Sequence, residues 1–120
     1  MKTLKVGISS YADMKARTMA IARGEFKPRP GDPKVWFPST ESLVRVLSEK
    51  NCSLLATIRS TSPKSLVELA EKTGRKKSNL SRTLKTMERY GIVKLRRESR
   101  GRVIAQVPYQ RVAVDFSVGR

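Results

Sequence analysis

Two glycines, Gly74 and Gly91, each end a run of apolar residues at helical spacing, and they confine the middle of this chain to two short, closely joined helices. The first helix opens at Ser65-Leu66-Val67-Glu68, the spacing of a capping box, and turns Leu66, Leu69 and Ala70 inward. Gly74 supplies the backbone freedom for a sharp turn, and Ala70 is small enough for the helices to cross closely. A second helix is predicted from about Lys77 to Tyr90, with Leu80, Leu84 and Met87 on its inner stripe. Gly91 stops it, and two short alternating segments follow around the turn Ser99-Arg100-Gly101. Two helices joined at Gly74-Arg75, with a hairpin behind them, read as a winged helix-turn-helix. The expected class is α+β.

The flanking segments are simpler. Leu4, Val6 and Ile8 alternate with Lys5 and Gly7, as in a half-buried strand. Ser10-Tyr11-Ala12-Asp13 reads as a capping box, and Ala12, Ala16, Met19 and Ala20 form the narrow face of a helix that Gly24 ends. Pro28, Pro30, Pro33 and Pro38 then argue for an extended linker without regular hydrogen bonding, with Trp36 and Phe37 docking its end onto the next domain. Ser39 or Thr40 can cap a short helix carrying Leu43, Val44 and Leu47. Ser48 can cap another, with Cys52, Leu55 and Ile58 buried and the thiol therefore inert. After Pro108, Val112, Val114, Phe116 and Val118 alternate as a terminal strand. The expected division is a strand-helix extension (residues 1–25), a linker (26–38), a winged-helix domain (39–107) and a C-terminal strand (108–120).

Charge narrows the choice of partner. Twenty-six Lys and Arg against ten acids leave +16, a field that attracts nucleic acid first and anionic membrane second. A membrane role is set aside, because no basic helix carries a bulky apolar face and no apolar run is long enough to span a bilayer. The N-terminus shows no signal-peptide pattern, so the expected location is the cytoplasm. With one cysteine and no histidine, a Cys/His zinc site and a histidine-based nucleophile pair are both excluded. Nothing arranges lysine or carboxylate chemistry instead. Neither an enzyme nor a cofactor is expected.

The basic residues are concentrated. Between Arg75 and Arg102 there are eleven Lys or Arg and two acids, so nine of the sixteen net charges fall within this segment. With about 100° per residue, Ser78, Arg82, Lys85 and Arg89 lie roughly 140–200° from Leu80, opposite the apolar stripe. Lys76 and Lys77 stand at the helix start, where Ser78 and Asn79 would approach base edges. Arginine pairs bidentately with guanine and asparagine with adenine, which makes Arg82 and Asn79 the candidates for direct readout. Ser65, Ser78 and Ser81 are further candidate DNA contacts, and Lys85 and Arg89 are placed to meet phosphate. Arg96, Arg97, Arg100 and Arg102 cluster at the hairpin, where a wing would reach backbone or minor groove.

The runs Ser65-Leu-Val-Glu-Leu-Ala-Glu-Lys-Thr-Gly74, Ser78-Asn-Leu-Ser-Arg82-Thr-Leu84 and Met87-Glu-Arg-Tyr-Gly-Ile-Val93 resemble the winged-helix domains of prokaryotic MarR-like and ArsR-like regulators. The chain also looks like a group of small predicted transcriptional regulators that share its terminal strands and aromatic linker. The resemblance implies a sequence-specific, double-stranded-DNA-binding regulator. Some members of such groups are encoded beside toxins, so it also permits an antitoxin that binds a toxin protein and autoregulates its operon. Structured RNA is a third candidate ligand, since winged helices also grip RNA. Lys76 departs from the family pattern, which places a capping Ser, Thr or Asp before the recognition helix. A homodimer is expected, built in part from the terminal strands, which would pair within or across subunits to bury Leu4, Val6, Ile8, Val112, Val114 and Phe116.

Overall fold

The computed structural model describes residues 2–118; Met1 and residues 119–120, the outermost ends of the first and last expected segments, lie outside them. The described residues form five helices and two small sheets, an α+β arrangement. In chain order the elements are β1 (Thr3–Ile8), α1 (Tyr11–Ala22), β2 (Val35–Phe37), α2 (Thr40–Val46), α3 (Glu49–Thr61), α4 (Leu66–Thr73), α5 (Lys77–Arg89), β3 (Lys94–Arg97), β4 (Val103–Gln106) and β5 (Arg111–Asp115). β3 and β4 make an antiparallel hairpin. The other three strands form a parallel sheet ordered β2-β1-β5.

The N-terminal strand is thus the centre of its sheet, not an extension reaching away from it. Val6 faces Val35 on one side and Val114 on the other, all within one chain. The registers put Leu4, Val6, Ile8, Val35, Phe37, Val112 and Val114 on one face, because side chains alternate along each strand. Leu4, Val6 and Phe37 join the same hydrophobic core as Leu54, Ile58, Leu69, Leu80, Leu84, Met87, Ile92 and Val93. Segments expected to be separate at residues 25, 38 and 107 therefore share one core. The terminal strands pair within the chain, in a sheet separate from the β3–β4 hairpin. Of the six side chains expected to be buried by that pairing, Val114 and Phe116 remain 45% and 53% exposed.

The linker holds a strand that its prolines concealed. Val35, Trp36 and Phe37 carry β-branched and aromatic side chains and free N–H groups between Pro33 and Pro38. They are anchored by Lys34 N–H donating to Lys5 O (3.1 Å) and Ser9 N–H to Phe37 O (3.0 Å). The expected docking onto the following segment holds for Phe37 and not for Trp36. Phe37 is fully buried and stacks on Tyr90 with ring centroids 4.1 Å apart. Trp36 lies on the opposite face of the sheet, over Gly7. A Cβ on Gly7 would stand 2.5 Å from Trp36 Cζ3, so this close approach requires glycine. The Arg17 guanidinium lies against both Trp36 and Phe26, 5.2 and 5.1 Å from their ring centroids, and ties α1 to this corner. α1 itself buries no residue.

Three serines start helices as anticipated: Ser10 Oγ accepts from Asp13 N–H, Ser39 Oγ from Ser42 N–H and Ser48 Oγ from Asn51 N–H. Two inward assignments fail. Val44 is 64% exposed and Val46 takes its place in the core, and Cys52 is exposed while Leu54 is buried. The cause is helical phase. Cys52, Leu55 and Ile58 are three residues apart, and each step of three lags a full turn by about 60°, so Cys52 lies about 120° from Ile58. Leu54, one i,i+4 step from Ile58, stays in line. β5 ends at Asp115, short of the strand expected to continue through Val118.

Candidate nucleic-acid interface

α4 and α5 are joined by Gly74, whose φ of +72° is the left-handed conformation that ends α4 with its N–H donating to Ala70 O (2.8 Å). α5 buries Leu80, Leu84 and Met87, and that stripe fixes the opposite face outward. Ser78, Arg82, Lys85 and Arg89 are all exposed there, as are Lys76, Lys77 and Asn79 at its start; Ser81 is half-buried. Lys76 is the N-cap and makes no side-chain capping bond, which matches the departure noted in the sequence. Two cations beside the positive helix end weaken the first turn and strengthen its pull on an anion.

Asn79 is held by a residue the sequence reading passed over. Arg75 donates from Nε and Nη2 to Asn79 Oδ1 (3.0 and 2.7 Å), from Nη1 to Asn51 Oδ1 (3.0 Å) and from Nη2 to Thr83 Oγ1 (3.3 Å). One guanidinium thus clamps the turn and the first half of α5 to the start of α3. Bidentate pairing with adenine needs the amide oxygen of Asn79 as an acceptor, and that oxygen is already engaged. Asn79 is therefore a positioning residue in this arrangement. Arg75 precedes the extended N-cap Lys76 and so lies off the helix; the spacing shows only that Asn79 and Thr83 share a helical face for it to reach. Replacing Arg75 with Ala is expected to cost about 1–2 kcal/mol of stability in urea denaturation. Arg75→Lys should not restore it, since an ammonium cannot reproduce the fork.

The hairpin meets α5 across a cleft of about 360 Å³, where Ser81 and Lys85 face Arg97 and Gly101 over a floor that includes Leu84, Leu95 and Val103. Arg97 also reaches Glu88 of α5 (3.7 Å), which binds the hairpin to the helix. At the tip, Arg100 and Gly101 take positive φ values of 66° and 70°, and Glu98 N–H closes the loop on Arg102 O (2.7 Å). The four hairpin arginines do not act alike. Arg96 pairs with Ile104 in the register, on the face away from α5, and lines a different cleft with Arg59 and Lys64. The alternation of the strand sends it there, so the expected cluster of four is divided. Glu98 further binds both Arg96 (3.3 Å) and Arg102 (2.9 Å). Ser65 is half-buried at the start of α4, its Oγ accepting from Glu68 N–H (3.1 Å). The Glu68 carboxylate turns to Lys64 N–H (2.8 Å), so the reciprocal half of that capping box is displaced by one residue.

Six candidate cations have no acid partner among the described residues: Lys76, Lys77, Arg82, Lys85, Arg89 and Arg100. No helix of the described residues is long and apolar enough to cross a membrane. No curated protein and no solved structure matched the chain in comparison. The sequence profile of the HVO_A0114 family matches residues 46–114, from the end of α2 to β5. That match takes in more than half of the chain, which therefore belongs to the HVO_A0114 family.

Proposed function

We propose that the protein is a sequence-specific double-stranded-DNA-binding transcriptional regulator, with α4, α5 and the β3–β4 hairpin working as a winged helix-turn-helix. One observation carries the reading: the face of α5 opposite its buried stripe is exposed, cationic and free of acid partners, and the hairpin's Arg97 lies across the adjoining cleft. A helix of that width fits the major groove, with Ser78 and Arg82 toward the base edges and Lys85 and Arg89 toward phosphate. Arg100, at the tip of the wing, is placed for the flanking backbone or minor groove. Arg75 and Asn79 hold the reading helix in place. The functional unit in this reading is a homodimer, which would bind a palindromic site.

Selection from a randomised duplex library tests the division of labour. The wild-type chain should enrich a defined sequence. Arg82→Ala should lose its preference at one base pair, at a cost of about 1–3 kcal/mol for that pair. Arg97→Ala should weaken binding to all sequences about equally. Failure of the wild-type chain to enrich any sequence overturns the regulator reading; identical profiles for the two variants overturn the roles assigned to helix and wing.

A further inference from the structure

β5 closes one side of the parallel sheet, and its own outer edge carries no strand among the described residues. Ser9 N–H donates to Phe37 O and Pro38 has no N–H, so Gly7 and Ser9 turn their backbone groups to β2. By alternation Leu4 and Val6 turn theirs to β5, where the parallel register makes Arg111, Ala113 and Asp115 their partners. The N–H and C=O groups of Val112 and Val114 therefore point away from the sheet, along the open edge. On the core side of that edge lies a groove of about 380 Å³ whose lining includes Leu47, Cys52, Leu55, Tyr109, Val112 and Val114. Phe116, just beyond the strand, is half exposed. None of the candidate DNA contacts lines this groove.

The sequence of β5 says what fits there. Arg111-Val-Ala-Val-Asp115 is complementary to itself when reversed: opposite charges at its ends, valines inside them and alanine at the centre. Neither Arg111 nor Asp115 makes an ion pair among the described residues. We infer that the occupant of this edge is a second copy of the chain, its β5 antiparallel about a two-fold axis at Ala113. Arg111 then stands opposite Asp115 of the partner subunit, Val112 opposite Val114 of the partner subunit, and Ala113 opposite its own equivalent. The backbone allows it. Residues 112 and 114 are the ones whose groups face outward, and this axis sets each opposite the other of the partner subunit as a hydrogen-bonded pair, about four bonds in all. Two three-stranded sheets become one of six. Val114 gains a valine neighbour, and Phe116, on the same face, is carried past Gln110 of the partner subunit to the mouth of the groove.

This names the surface of the homodimer invoked above, and it is tested without DNA, so either reading can fail alone. Light scattering on the full chain under reducing conditions should give twice the 13.5 kDa chain mass. Arg111→Asp and Asp115→Arg each oppose like charges twice across the axis, and each should raise the dimer dissociation constant by about 10–30-fold. Mixed in equal amounts, the two variants should regain the dimer, because only the heterodimer pairs opposite charges at both positions. Val114→Pro should give a folded monomer, since it removes an N–H that points away from β1. Circular dichroism checks that each variant stays folded. A full-length monomer at about 100 μM overturns the inference, as do charge variants that dimerise like the wild type or that fail to recombine.

Discussion

Raising the salt concentration from about 50 to about 200 mM is expected to weaken duplex binding about a thousandfold for each protomer bound. The figure follows from the six candidate cations without acid partners: Lys76, Lys77, Arg82, Lys85, Arg89 and Arg100. If each displaces a condensed counterion, log K falls against log salt with a slope of about −5 per protomer. The hairpin arginines paired with Glu88 and Glu98 add less, because their charge is already partly answered within the protein. Fluorescence anisotropy on a labelled duplex across a salt series measures the slope directly. A slope shallower than about −2 per protomer would show that the exposed face of α5 is not engaged with phosphates. A slope much steeper than about −5 per protomer would mean that the Glu98 pairs open on binding.

Phe37→Ala is expected to cost about 3–5 kcal/mol, the largest loss foreseen for any single substitution here. Phe37 is fully buried and stacks on Tyr90, which follows directly on α5. The ring is the main aromatic contact between the parallel sheet and the helices. Removing it leaves a cavity where the sheet should adhere and forfeits the stacking as well. For a chain of this size the melting temperature should fall by about 10–20 °C, read by circular dichroism. Phe37→Leu, which keeps most of the volume, should lose less than half as much. A fall of only a few degrees for Phe37→Ala would show that the sheet is held elsewhere.

What could be read beforehand depended on whether a local pattern or a distant partner decided the outcome. α5 was legible because Leu80, Leu84 and Met87 repeat at the helical period and a positive-φ Gly91 follows. The hairpin was legible because its turn residues stand between two alternating runs. β2 was not, since four prolines around it dominate the local signal and only pairing with β1 rescues its three residues. Alternation likewise marked β1 and β5 as strands without indicating that they would pair in parallel. Arg96 and Arg97 looked equivalent in a count of charges, and the period of the strand separates them. Asn79 looked like a base reader, and in this structure its acceptor is held by Arg75, a residue outside the helix whose reach no helical spacing reports.

The place of β1 at the centre of its sheet also sets the order in which the protein can be completed. Lys2 and Gln110 bond to each other in both directions across 108 positions of chain. At typical rates of synthesis, roughly 5–20 s separate the emergence of these two residues from the ribosome. The helices and the β3–β4 hairpin depend on nearer contacts and can assemble during that interval. Within this sheet, the strand made first has to wait for the one made last. Until residues 111–115 arrive, the backbone groups on one side of β1 stay unsatisfied and Leu4 and Val6 lack their neighbours on that side. A chain broken off before Arg111 would thus display an open apolar strand at its beginning, a signal that chaperones and proteases can read as incomplete.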